Sequence, residues 1–259
     1  MIHGHWLKAY ALNGSYVAID VAPADFTRFL QKLPRSGFAG GNVTIPHKEA
    51  AFAGVAVRDE AAELTGAVNT LWLEGGTIRG GNTDGYGFAA NLDQHAPQWR
   101  NSARAVVIGA GGAARAVVLA LKQAGIGDIR IANRSADRAL ELKHRFGPGI
   151  SALGLDALPE ILGDADLLVN TTSLGMHGGS GLPADPDLLQ AQAIVADIVY
   201  VPLQTPLLAA ASRRGLKTVD GLGMLLHQAA PAFEKWFGVM PDVSPELRDI
   251  VVADIEQKT

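Results

Sequence analysis

The chain has 259 residues, no cysteine, 22 Lys and Arg against 26 Asp and Glu, and a hydrophobic fraction of 48%. At that length it holds two modest domains or one large one and buries roughly 70 to 75% of its unfolded surface, so folding calls for neither metal nor disulfide. Thiolate catalysis, thiolate zinc sites and disulfides are excluded, and the dispersed, slightly acidic charge gives no footprint for nucleic acid or anionic membrane. The opening Met1-Ile2-His3-Gly4-His5 has no basic n-region or apolar h-region, and no apolar run reaches a membrane span. These features predict a soluble cytoplasmic protein with a small-molecule ligand.

Residues 6–12 read as the tail of a helix ended by Asn13-Gly14, and His3 and His5 as a surface pair, since no third metal ligand lies near them in sequence. Residues 16–21, Tyr-Val-Ala-Ile-Asp-Val, read as a strand. Pro23-Ala24-Asp25 opens a helix with Phe26, Phe29, Leu30 and Leu33 on one face, closed by the turn residues 34–41. Residues 41–45 then form a short strand that meets Pro46, preset for the first turn of a helix. Lys48 therefore stands near a helix N-terminus, where a cation is disfavoured by about 0.3 to 1 kcal/mol unless a carboxylate pairs with it. An ordinary surface lysine is the alternative.

Residues 67–73 and 78–85 read as two strands around the turn Glu74-Gly75-Gly76. Asn69 interrupts the first, and Asp84 falls where the second passes into a helix over 86–92. Strand ends of this kind are where ligand sites gather in α/β folds. Asp84 as a plain helix N-cap is the competing reading.

The stretch Val106 to Arg115 joins an apolar strand to a glycine turn and an alanine-rich helix, with Gly109, Gly111 and Ala114 spaced as G-x-G-x-x-A. Such a turn brings a helix N-terminus to a pyrophosphate. A second strand over 129–134 ends in Asn133-Arg134-Ser135, with Arg138 one helical turn further on. An acidic residue at that end would favour NAD, whereas two guanidiniums suit the 2'-phosphate of NADP; a solvated helix start is the alternative. Strands over 166–170, 193–198 and 217–219 complete a six-strand nucleotide-binding half. The stretch with His177, Gly178, Gly179 and Gly181 reads as a mobile loop. From Gly221 a long helix runs through Gln228, Phe233 and Trp236 until Pro241 breaks it, and Ser244-Pro245-Glu246 opens an amphipathic helix to Ile255.

The fold class predicted is α/β with two α/β domains. Residues 1–85 form a substrate domain with a mixed, mainly parallel sheet, and residues 86–220 a Rossmann-type doubly wound parallel sheet. Residues 221–259 are C-terminal helices packing back on the first domain.

The blocks N-V-T-x-P-x-K, A-V-N-T, N-T-D-G-x-G-F, G-A-G-G-A-A-R, N-R-S-x-x-R-A and G-L-G-M-L-x-x-Q span nearly all of the chain. In that set and order they resemble the shikimate dehydrogenase family. The resemblance implies an oxidoreductase of aromatic amino acid biosynthesis that reversibly reduces 3-dehydroshikimate to shikimate with NADP, as a monomer or homodimer. It implies Lys48 as proton acceptor, with Asp84 holding the lysine and the substrate hydroxyl in line. Substrate contacts would fall on Thr44, Asn69, Tyr200 and Gln228 besides that pair. Cofactor contacts would fall on Gly109, Ala110, Gly111, Gly112, Ala113, Asn133, Arg134, Ser135, Arg138, Ile198 and Gly221, with Glu60 and Met224 as further members. Met224 reads equally well as core filler. No metal is implied.

The chain departs from the family at its start. The family opens with a strand and a Ser-x-Ser-Pro segment whose hydroxyls hold the substrate carboxylate, and no matching serines stand here. A shortened chain, a mis-set start codon, or replacement by a neighbouring subunit each account for this. Two lost hydrogen bonds at about 1.5 to 3 kcal/mol each would weaken substrate binding roughly 10²- to 10⁴-fold. Two other functions fit the same residues: a quinate or hydroxy-acid dehydrogenase using NAD, and a ligand sensor without turnover.

Overall fold

A computed structural model describes residues 1–176 and 181–257, so His177, Gly178 and Gly179 of the expected mobile loop lie outside the described residues. The chain divides into two compact units, Met1–Asp84 with Leu226–Thr259, and Gly85–Leu225.

In the first unit come α1 (Ile2–Ala9), α2 (Phe26–Lys32), β1 (Gly40–Asn42), α3 (Lys48–Gly54), β2 (Val57–Arg58), α4 (Glu60–Thr65), β3 (Thr70–Glu74) and β4 (Thr77–Gly81). The sheet order is β1-β3-β4-β2. It is mixed as expected, yet its pairings run mainly antiparallel rather than parallel: β1 with β3 and β3 with β4 are antiparallel, and only β2 with β4 is parallel. The reason is local. Gly75 and Gly76 sit at φ of 58° and 78°, so consecutive strands fold back as a tight hairpin. Beneath the sheet Phe26, Leu30, Ala51 and Val55 bury their side chains with Val43, Val68 and Leu71.

Four local features differ from expectation. Residues 16–21 form no strand; Tyr16, Val17 and Ile19 are exposed, and the segment borders a cavity of about 150 Å³ whose other wall includes Gly41 and Val43. Without an adjacent ladder the β-branched residues have nothing to pair with. Pro46 is not the first residue of a helix: the Ile45-Pro46 bond is cis, and α3 begins two residues later at Lys48. His3 is no surface residue either. It lies 5% exposed on the buried face of α1, among Trp6, Tyr16, Phe233 and Trp236, because only one face of this amphipathic helix is wet. That helix also ends at Ala9, three residues earlier than expected.

The second unit holds most of α5 (Asp84–His95), then β5 (Arg104–Ile108), α6 (Gly112–Gln123), β6 (Asp128–Ala132), α7 (Ala136–Phe146), β7 (Ile150–Leu153), α8 (Leu158–Ile161), β8 (Leu167–Asn170), β9 (Ile194–Asp197), α9 (Pro206–Arg213) and β10 (Lys217–Val219). All six strands pair in parallel, in the order β10-β9-β8-β5-β6-β7. Strand β7 escaped the sequence reading because Ile150-Ser-Ala-Leu alternates weakly. The chain reverses direction across the sheet between β5 and β8, which is where an open α/β sheet binds its ligand. Every residue of β8 and β9 is buried, as continuous apolar strands covered on both faces must be. Val106, Ile108, Leu168, Val195, Leu207 and Ala211 fill one side of the sheet.

Helix α10 (Leu222–Phe237) runs from the second unit into the first, and α11 (Pro245–Glu256) closes the chain. Gly238, at φ 72°, ends α10 three residues before Pro241. Ser244 caps α11 by accepting from Leu247 N at 3.2 Å.

Candidate active site

Lys48 is the first residue of α3 and Asp84 the first residue of α5. Lys48 Nζ donates to Asp84 Oδ2 at 2.7 Å, with the two side chains 27% and 13% exposed. The cation disfavoured at its own helix start thus meets the carboxylate that offsets it. Asp84 is not an N-cap: Oδ2 takes Lys48, and Oδ1 accepts from Asn69 Nδ2 at 2.8 Å. The capping contact falls instead to Asn82, whose Oδ1 accepts from Asp84 N at 3.0 Å while its Nδ2 donates to Ala67 O.

Asn69 stands immediately before β3, 2% exposed, with its backbone N–H on Gly81 O and its C=O accepting from Val43 N. Its side chain joins Asp84 to Gln228 of α10, reaching Gln228 Oε1 at 3.2 Å. Asn82, Thr83 and Thr70, in sequence no more than letters of the A-V-N-T and N-T-D-G-x-G-F blocks, all hold this cluster. Thr70 Oγ1 and Thr83 N both donate to Asn69 Oδ1 at 2.9 Å. The signal available beforehand was a run of small polar residues where an apolar alternation was due. Behind them Asp59 caps α4 at Ala62 N and accepts from Asn82 N; burial pushes its carboxyl above the usual range.

Of the other substrate candidates, Thr44 follows β1, exposed, on the cavity wall shared with His47, and Tyr200 belongs to the second unit, 37% exposed beyond β9. The structure therefore brings together Lys48, Asn69, Asp84 and Gln228 in the first unit. Glu60 is there too, exposed on the first residue of α4.

The remaining cofactor candidates belong to the second unit and stand at the C-terminal ends of its strands. Gly109 to Ala113 link β5 to α6, Asn133 to Ser135 link β6 to α7 with Arg138 in the first turn, Ile198 follows β9, and Gly221 and Met224 begin α10. Gly109 has φ 104°, and a Cβ there would lie 2.6 Å from Thr171 Oγ1. A Cβ on Gly221 would lie 2.2 Å from Ile198 O. Helix α6 has Gly111 at its N-cap, with no side-chain cap and no acidic residue in its first turn, which leaves its leading N–H groups and dipole for an anion. Arg134 and Arg138 are exposed beside that turn's neighbour, at the end of β6. Met224 is half-buried. A buried carboxyl braces the loops: Asp197 accepts from Asn170 Nδ2 at 2.9 Å, Thr205 Oγ1 at 2.7 Å and Val199 N at 3.1 Å. Burial pushes Asp197 above the ordinary carboxylate range against those three donors. The glycine turn, the uncapped helix start and the two guanidiniums are a donor set that fits a dinucleotide carrying a 2'-phosphate. Among the described residues no helix is long and apolar enough to cross a membrane.

A paired lysine and carboxylate braced by amides, in a chain with a dinucleotide-type sheet, define a nicotinamide-dependent dehydrogenase. Family comparison is more specific. Residues 1–71 match the shikimate dehydrogenase substrate binding domain, 92–176 the shikimate / quinate 5-dehydrogenase domain, and 221–245 the shikimate 5'-dehydrogenase C-terminal domain. A shikimate dehydrogenase (NADP(+)) of Mesorhizobium japonicum is 66% identical over 99% of this chain and 92% of its own length. The crystal structure of a Thermus thermophilus shikimate 5-dehydrogenase in complex with NADP(H) and shikimate has a TM-score of 0.86 at 36% identity, over 98% of this chain and 93% of that one. A quinate dehydrogenase of Corynebacterium glutamicum in complex with NAD reaches 0.88 at 31% identity, over 97% of this chain and 93% of its own. The chain belongs to the shikimate dehydrogenase family.

Proposed function

We infer that this chain catalyses the reversible, NADP-dependent reduction of 3-dehydroshikimate to shikimate. The observation that carries the reading is the 2.7 Å pair of Lys48 and Asp84, joined through Asn69 to Gln228, in a chain 66% identical to a relative of that activity. The substrate groups, Tyr200 apart, fall in the first unit, and the cofactor groups, Glu60 apart, in the second.

Bound NADP supplies a nicotinamide able to accept or return hydride. Lys48 Nζ takes the proton of the substrate hydroxyl on oxidation and returns it on reduction. Asp84 fixes Nζ through Oδ2, and Asn69 fixes Asp84 through Oδ1, so the lysine meets the hydroxyl in one orientation. Thr44, Asn69, Tyr200 and Gln228 supply hydrogen-bonding groups for a polyhydroxylated ring. Gly109, Ala110, Gly111, Gly112 and Ala113 take the pyrophosphate, and Asn133, Arg134, Ser135 and Arg138 the ribose and its 2'-phosphate. Ile198, Gly221, Met224 and Glu60 would be further cofactor contacts. The two arginines favour NADP over the NAD-dependent quinate alternative, and the intact Lys48–Asp84 pair favours an enzyme over a sensor. A cytoplasmic setting and a monomeric or homodimeric state complete the proposal.

The test follows NADPH absorbance with shikimate supplied. Turnover is expected, and Lys48→Ala should lower kcat by about 10²- to 10⁴-fold, the usual weight of a positioned acid-base group. Ligand binding without NADPH formation by the unaltered chain overturns the reading.

A further inference from the structure

The peptide unit between Ala67 and Val68 touches both halves of the lysine–carboxylate pair. Its N–H donates to the Lys48 carbonyl at 2.9 Å, and its C=O accepts from Asn82 Nδ2 at 3.0 Å. The bond is trans and planar, so N–H and C=O point to opposite sides and hold the two contacts at a fixed separation.

Asn82 carries that reference on to Asp84. Its Oδ1 accepts from Asp84 N at 3.0 Å while its Nδ2 is committed to Ala67 O. A peptide N–H can only donate and a carbonyl can only accept, so the amide has one possible orientation. Both contacts are buried and Asn82 is 6% exposed, which keeps water from readily taking the place of either. Asn69 holds the Asp84 carboxylate itself, whereas Asn82 holds the backbone from which that carboxylate hangs. With the amide removed, Lys48 stays tied to Val68, but the start of α5 loses its link to the same peptide plane and the 2.7 Å separation is no longer imposed from both sides.

We propose that Asn82 is a positioning residue for proton transfer: its amide fixes the first residue of α5 to the Ala67–Val68 peptide unit that also holds Lys48, and so sets Asp84 against the lysine. The inference rests on the activity proposed above and on Lys48 and Asp84 as its proton-transfer pair.

The experiment compares shikimate oxidation by the full chain with Asn82→Ala, which removes both contacts, and Asn82→Ser, whose hydroxyl still offers Asp84 N an acceptor but does not reach Ala67 O. Asn82→Ala is expected to lower kcat about 10²-fold, the effect of displacing a reacting group by about 1 Å, with KM for shikimate and for NADP held within about threefold. Asn82→Ser should fall between, with a loss of about tenfold. In an Asp84→Ala background Asn82→Ala should change kcat by less than about twofold, since the carboxylate it positions is gone; a residue serving the fold alone would impose its loss there too. An unchanged kcat in Asn82→Ala, a rise in KM alone, an Asn82→Ser no better than Asn82→Ala, or a full further loss in the absence of the Asp84 carboxylate each overturns the proposal. Should Asn82→Ala fail to fold, Asn82→Ser with and without Asp84→Ala carries the same comparison. An unaltered chain that does not oxidise shikimate overturns the proposed function itself, whereas normal turnover with an indifferent Asn82→Ala overturns only this inference.

Discussion

His3 illustrates what burial does to a single titratable group. Its Nε2 meets Asn42 Oδ1 at 3.0 Å, and its Nδ1 is buried with no hydrogen-bond partner among the described residues, so an added proton would be enclosed by aromatic rings. Burial lowers its pKa from 6.5 to about 4, against the raising effect of Asn42 and with a smaller lowering by the chain's amino terminus. The sign of the linkage follows. Above pH 6.5 both folded and unfolded His3 are neutral and contribute nothing; between 6.5 and about 4 the unfolded chain takes up a proton that the fold refuses, so stability falls as pH falls. The full loss is on the order of 3 kcal/mol. Urea titrations across that range should show His3→Phe losing this slope relative to the parent, a difference in which the opposite tendencies of Asp59 and Asp197 cancel. Identical slopes would place the acid sensitivity elsewhere.

At the scale of elements, the β5-turn-α6 unit separates two demands on glycine. Gly109 is required by the fold, since its φ of 104° and the 2.6 Å approach of a Cβ to Thr171 Oγ1 leave no room for a side chain. That hydroxyl is itself committed to Ile108 O at 2.7 Å and cannot turn away without loss. Gly109→Ala should therefore cost roughly 2 to 4 kcal/mol in denaturant unfolding. Gly111 is different: its φ is −87°, and a Cβ there meets nothing within 4 Å. Gly111→Ala should leave stability near the parent's while raising KM for NADP, because only a bound phosphate would feel the added methyl. Two equally stable variants, or two equally unstable ones, would contradict this division.

Across the whole molecule the chain distributes its chemistry over two compact units, and ligand linkage reads out which unit takes the cofactor. NADP at a hundred times its Kd should stabilise the chain by about 2.7 kcal/mol, with new amide-exchange protection concentrated in Gly85–Leu225. Arg134→Ala should reduce the advantage of NADP over NAD in that stabilisation, since the 2'-phosphate is all that distinguishes the two and one of its two guanidiniums is gone. Protection confined to Met1–Asp84, or an undiminished preference for NADP, would remove the assignment of the cofactor groups.

Much of this was legible in the residues because it depends on local rules. The apolar runs of β5, β8 and β9 are buried on both faces and so are continuous in sequence, and the glycines of the β5-α6 turn answer a backbone requirement that any reader of the chain can find. Lys48 and Asp84 were likewise visible, each a charge at a strand-to-helix passage. Their pairing was not, since they come from helix starts 36 residues apart and only folding sets Nζ 2.7 Å from Oδ2. The same holds for the burial of His3, the bare flank along residues 16–21 and the hydroxyls of Thr70 and Thr83. Periodicity reports which face of an element is apolar; it carries no information about which partner, if any, arrives to cover that face or to accept that proton, and tertiary packing alone decides it.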